Sequence, residues 1–127
     1  MAQQKLTAEQ VRRIEEIQEL QRTVDVVKHL VAELDANRAA QTRTIQQLCD
    51  RIAKETQQLR QRTLTANIGT VGDVAGAMSV MAGRGGGMNM KIRGLTDGVN
   101  SLRMQLDTAL KQAMTPEPKQ PEPEKPV

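Results

Sequence analysis

From Ile17 to Arg62 the chain repeats an apolar pattern every seven residues, and no glycine or proline interrupts residues 5–68. With Ile17 as position a, the a series is Ile17, Val24, Val31, Arg38, Ile45, Ile52 and Leu59. The d series is Leu20, Val27, Leu34, Gln41, Leu48, Glu55 and Arg62. Ten of these fourteen sites are apolar. A stripe that narrow and that long belongs to a coiled coil rather than to a strand or an ordinary surface helix. β-branched residues at a with leucine at d are the preference of parallel two-stranded coils. Arg38 and Gln41 place a polar layer in the middle of the stripe. Such a layer either selects register and partner or marks a local widening that admits water.

The start of this helix is written in Leu6-Thr7-Ala8-Glu9-Gln10-Val11. Thr7 can accept from the Gln10 amide while the Gln10 side chain reaches back, and Leu6 and Val11 hold the two positions of a hydrophobic staple. The flanking e and g sites (Glu16, Gln21, Thr23, Lys28, Leu30, Asp35, Asn37, Thr42) are poor in opposite charges, so no salt-bridged homodimer is specified. Leu30 broadens the stripe and leaves room for a further helix. The partner expected from these residues is the chain itself or another coiled-coil protein.

Past Leu64 the texture changes to small and apolar residues, from Ile68 to Ala82, followed by the glycine cluster 83–87. A second heptad then runs through Ile92, Leu95, Val99, Leu102, Leu106, Ala109 and Ala113, with Asn89 as a candidate cap. It must end before Pro116, which pushes Thr115 out of helical geometry. Folding the chain back at Gly85 pairs Gly76 with Gly94, Gly72 with Gly98, Met78 with Ile92, Ala75 with Leu95, Val71 with Val99, Ile68 with Leu102 and Leu64 with Leu106. Glycine inside a helix costs about 1 kcal/mol relative to alanine. Four of them at matched positions suggest backbones in close approach.

These readings predict an all-α chain: a long coiled-coil helix followed by an antiparallel helical hairpin and a disordered Pro-rich tail. The expected divisions are a disordered N-terminus over 1–6, a coiled-coil stem over 7–57, a hairpin head over 58–114 with its Gly-rich turn at 83–88, and a disordered Pro/Glu/Lys tail over 115–127. A continuous helix from residue 7 to 82 would be roughly 110 Å long. The return helix would cover only its far end, so the ridge of the stem would need another molecule to shield it. The tail holds all five prolines of the chain. It reads as an extended polyproline-type segment, either solubilising or an SH3-type ligand.

Composition narrows the function. Phe, Tyr and Trp are absent, so there is no stacking platform for single-stranded nucleic acid. The net charge of +3 is the remainder of an even mixture without a basic block, which points away from nucleic acid. His29, the only histidine, falls at the outward f position with no second ligand, so no metal site is expected. Cys49, the only cysteine, falls at e beside the stripe with no partner base, the setting of a structural thiol. The glycine cluster lacks the Lys-Ser/Thr of a phosphate-binding loop. No catalytic residue and no cofactor is expected. The N-terminal residues lack an apolar signal segment, and no run of 18 apolar residues exists; cytoplasmic residence, free or at a membrane periphery, follows as the expectation.

Residues 59–83 carry a resemblance. Thr65-Ala66-Asn67-Ile68, followed by Val71, Ala75-Gly76, Met78 and Gly83, resembles the entry to the membrane-active region of the apolipoprotein L family. There a charged helix passes into a small-residue apolar one. The resemblance implies lipid association, with residues 68–98 inserting into or lying on a bilayer. Lys91, Arg93, Asp97, Asn100 and Arg103 depart from the family's second apolar run, and such charges are costly in lipid. Two functions result: a non-enzymatic structural or adaptor subunit assembling through a coiled coil, or a membrane-associating protein using residues 68–98.

Overall fold

The computed structural model describes residues 6–66, 68–84 and 86–115. The expected disorder of residues 1–5 and of the Pro-rich tail from residue 116, together with Asn67 and Gly85, lies outside the described residues. Those described form an all-helical structure of four helices: α1 (Ala8–Ala36), α2 (Thr42–Ala66), α3 (Val71–Gly83) and α4 (Met88–Met114). Each helix packs on two others, α1 and α3 both lying between α2 and α4. Side-chain contacts give the directions. Arg13 reaches the carbonyl of Ala66, Ser79 Oγ donates to Ala53 O, and Gln10 Nε2 donates to Thr115 O. The helices therefore alternate up and down.

Helix α1 starts where the capping box places it. Gln10 N donates to Thr7 Oγ1 at 3.0 Å, and Thr7 N donates to Gln10 Oε1 at 2.9 Å. Val11 of the expected staple stays exposed. The other end departs from expectation. A helix unbroken from residue 7 to 82 does not form; the chain reverses at 37–41 and again at 68–70. Between Leu34 and Ile45 lies no large apolar side chain, so a helix continuing through these residues would bury nothing there. Folding back lets the ridges on either side bury one another, at about 1.5–3 kcal/mol per fully buried aliphatic side chain. Asn37 closes α1 locally: its backbone N–H bonds Glu33 O at 2.9 Å and its Nδ2 bonds the same carbonyl at 2.7 Å.

The second reversal is made by Gly69, whose φ of +48° lies in the left-handed region that glycine enters without strain. Gln105 of α4 fixes this turn, its Oε1 accepting from Thr70 N at 3.2 Å and from Thr70 Oγ1 at 2.9 Å. Helix α4 ends at Met114, with Thr115 extended ahead of the proline.

The core is one contiguous cluster running through all four helices. The a/d ridge of α1 lies inside it: Ile17, Leu20, Val24, Val27, Val31 and Leu34 are buried, with Leu30 beside them. The bare stem expected from the sequence is therefore corrected. Its ridge is covered by α2 and α4 of the same chain.

Candidate interaction surface

On α2, Leu48, Ile52 and Leu59 are buried and Ile45 is partly buried. The expected d sites Glu55 and Arg62 do not join them. Their neighbours Thr56 and Thr63 do, at 0% and 4% exposure. A straight helix drifts from a seven-residue repeat by about 20° per heptad, and α2 is packed by both α1 and α3, so its buried face is broader than a seam. Each threonine hydroxyl is satisfied by its own helix. Thr56 Oγ1 donates to Ile52 O at 2.7 Å, and Thr63 Oγ1 to Arg60 O at 2.8 Å.

Of the residues expected to pack around the glycine turn, Ile68, Val71, Ala75, Met78, Ile92, Leu95, Val99, Leu102 and Leu106 are buried. Leu64 is not; it is 68% exposed on the outer side of α2. The glycine pairing also differs. A Cβ built on Gly98 would lie 2.6 Å from Met78 Sδ, and one on Gly94 would lie 2.4 Å from Met81 Sδ. Gly72 and Gly76 instead turn to α2, against Thr63 and Arg60. None of these four glycines meets another; each faces a side chain. The register is displaced by five to six residues from the mirror fold about Gly85, since Gly94 meets Met81 rather than Gly76, and Gly98 meets Met78 rather than Gly72.

Helix α4 packs on α1 as well as on α3. Gly87, not Asn89, precedes its first turn, and Asn89 Oδ1 accepts from Arg38 Nη1 at the first reversal. The opening residues of α4 thereby overshoot the end of α3, and Lys91 Nζ reaches back to Ala82 O at 3.5 Å.

Charged side chains stay on the outside of α4. Arg93, Asp97, Arg103 and Asp107 are exposed, as is the neutral Asn100, and Lys91 is half-buried. His29 is exposed, its Nδ1 2.7 Å from Asp25 O. Cys49 is buried, with Lys91 Nζ 3.9 Å from its Sγ. No group of three or more metal-ligating side chains occurs among the described residues. None of their helices is long and apolar enough to cross a membrane.

An open groove of about 690 Å³ lies between α1 and α4, lined by Gln21, Val24, Asp25, Asn100, Arg103, Met104, Leu106 and Asp107. Charges of both signs share it with Met104, which is 71% exposed. Periodicity in α4 could not single out Met104, because it falls outside the heptad stripe. The arrangement offers apolar contact, hydrogen bonds and mixed charge, the means of recognising a polypeptide surface. Searches against protein-family models, curated proteins and solved structures find no match to this chain. Its class is that of an all-helical protein.

Proposed function

We propose that this protein is a non-enzymatic structural or adaptor subunit that works by helix–helix assembly, with itself or with another coiled-coil protein. The observation that supports this reading is the ridge of α1. Its buried side chains (Ile17, Leu20, Val24, Val27, Val31 and Leu34) follow the heptad grammar by which helices recognise one another. A ridge of that kind can be covered by a helix of the same chain or of a different one, because hydrophobic contact is not directional. Exposed Met104, Val26 and Met90 add apolar points on the outer surface.

Photo-crosslinking tests the proposal. A photoreactive residue is placed in turn at Val26, Met90 and Met104 of the full chain in the cells that make it. Discrete adducts heavier than the 14.0 kDa chain are the expected result. Uncrosslinked monomer from all three positions would refute assembly.

Membrane insertion through residues 68–98 draws less support. The small-residue face of α3 is taken up by α2 at Gly72 and Gly76, and the charges of α4 lie on the outer surface.

A further inference from the structure

We infer that the chain exchanges α1 with a second copy of itself, the reversal at 37–41 straightening so that residues 8–66 form one helix. This deepens the assembly reading above by naming the partner and the hinge.

Three observations carry it. First, the hinge is made of helix-compatible residues. Asn37-Arg38-Ala39-Ala40-Gln41 has neither glycine nor proline, and alanine, arginine and glutamine are among the best helix formers. Nothing in the covalent chain requires the reversal; Gly69, by contrast, holds the second one. Second, α1 and α2 share one heptad phase across the break. Val31 and Leu34 before it and Ile45 and Leu48 after it lie at a and d positions of a single count. A straightened helix would carry both ridges on one face. Third, the closed pairing can be repeated between copies. Arg13 reaching Ala66 O and Arg62 reaching Thr23 Oγ1 set α1 and α2 antiparallel, so Leu20 lies toward the Leu59 end of α2 and Leu34 toward its Ile45 end. The same antiparallel pairing between two straightened helices brings the 37–41 segments of the two copies together near the two-fold axis. The polar layer of Arg38 and Gln41, both exposed in the closed chain, then lies in the seam at the crossing point.

The exchanged element is well defined. Helix α1 touches α2 and α4, while α3 keeps its contacts with both α2 and α4 when α1 leaves. Each α1 would dock on α2 and α4 of the second copy and recover what it lost, the condition that makes exchange of identical elements a low-cost route to dimers. Straightening replaces the Asn37 cap and the Arg38–Asp35 and Arg38–Asn89 contacts. All of these are exposed, and such contacts, the ion pair and the hydrogen bonds alike, exchange for water at little cost.

The test is the mass of the full-length protein in solution between about 1 μM and 1 mM, a range wide enough to reveal millimolar affinity. Expected is a slow equilibrium between the 14.0 kDa chain and a species of twice that mass, in which the 8–66 helix is about 90 Å long by small-angle scattering. Ala39→Gly with Ala40→Gly should weaken the dimer at least tenfold, because glycine disfavours the straight helix. Arg38→Leu with Gln41→Leu should strengthen it. In a Cys49→Ser background, Leu20→Cys with Leu59→Cys should form disulfides between chains in the dimer and within a chain in the monomer. A monomer at every concentration, the leucine variant included, would overturn the exchange and leave a different partner to the adaptor reading. A dimer whose disulfides all lie within chains would also overturn it. Should the cysteine variant not fold, the opposed responses of the exposed hinge variants decide the matter.

Discussion

Alanine at Gly98 is the sharpest test of how α3 and α4 meet. A Cβ there would lie 2.6 Å from Met78 Sδ and 2.7 Å from Met78 Cγ. Cγ is near the root of the side chain, and Met78 is 2% exposed, so it has little room to swing aside. Overpacking of this kind costs about 1–3 kcal/mol. Alanine in place of a helical glycine returns about 1 kcal/mol. The net expectation for Gly98→Ala is a loss of ~1 kcal/mol. With a urea m-value of about 1.5 kcal/mol per molar, that lowers the midpoint by roughly 0.7 M.

Gly94→Ala is the control. It meets only Sδ and Cε at the tip of the partly buried Met81, which can rotate away, so its midpoint should hold or rise. The two substitutions share a helix and a residue type and differ in what they touch. Met78→Ala sharpens the comparison. In that background Gly98→Ala should turn stabilising by ~1 kcal/mol, since only the propensity gain remains. Equal midpoint rises for Gly98→Ala and Gly94→Ala in the native background would refute the register.

Leu64→Gln should leave stability within about 0.5 kcal/mol, whereas Leu106→Ala, its partner in the mirror fold, should cost ~2–5 kcal/mol; urea denaturation of both checks the exposure of one and the burial of the other. Thr7→Ala should remove ~1 kcal/mol by deleting the reciprocal cap, and faster amide exchange should be confined to the first turns of α1. In liposome flotation the protein should stay at the bottom of the gradient with neutral lipid at high salt; co-flotation there would favour insertion of residues 68–98 over packing against α2.

Much of the helix content and nearly all of the burial were legible in the sequence. Of the ten stem residues expected at an interface, nine are fully buried and Ile45 is partly so, because side-chain direction along a helix follows from its repeat and is local. What covers them was not legible. The sequence reading placed a second molecule over the ridge, while the structure places α2 and α4 there. Residues 37–41 hold neither glycine nor proline and carry no local sign of a reversal, because what favours turning there is burial gained elsewhere. The register of α3 on α4 does not follow from symmetry about one turn, because α4 packs on α1 as well as on α3.

By itself, then, the sequence determined where α1 begins, where α4 ends, which faces are apolar and which charges stay in water. Each of these depends on residues within a turn or two of one another. The tertiary structure decided that the chain turns at 37–41, that Thr56 and Thr63 are buried in place of Glu55 and Arg62, and that methionines rather than glycines fill the notches of α4. These outcomes compare the burial gained by closing the chain on itself with the helix interrupted to do so. That comparison is made between segments far apart in the chain, which no local pattern records.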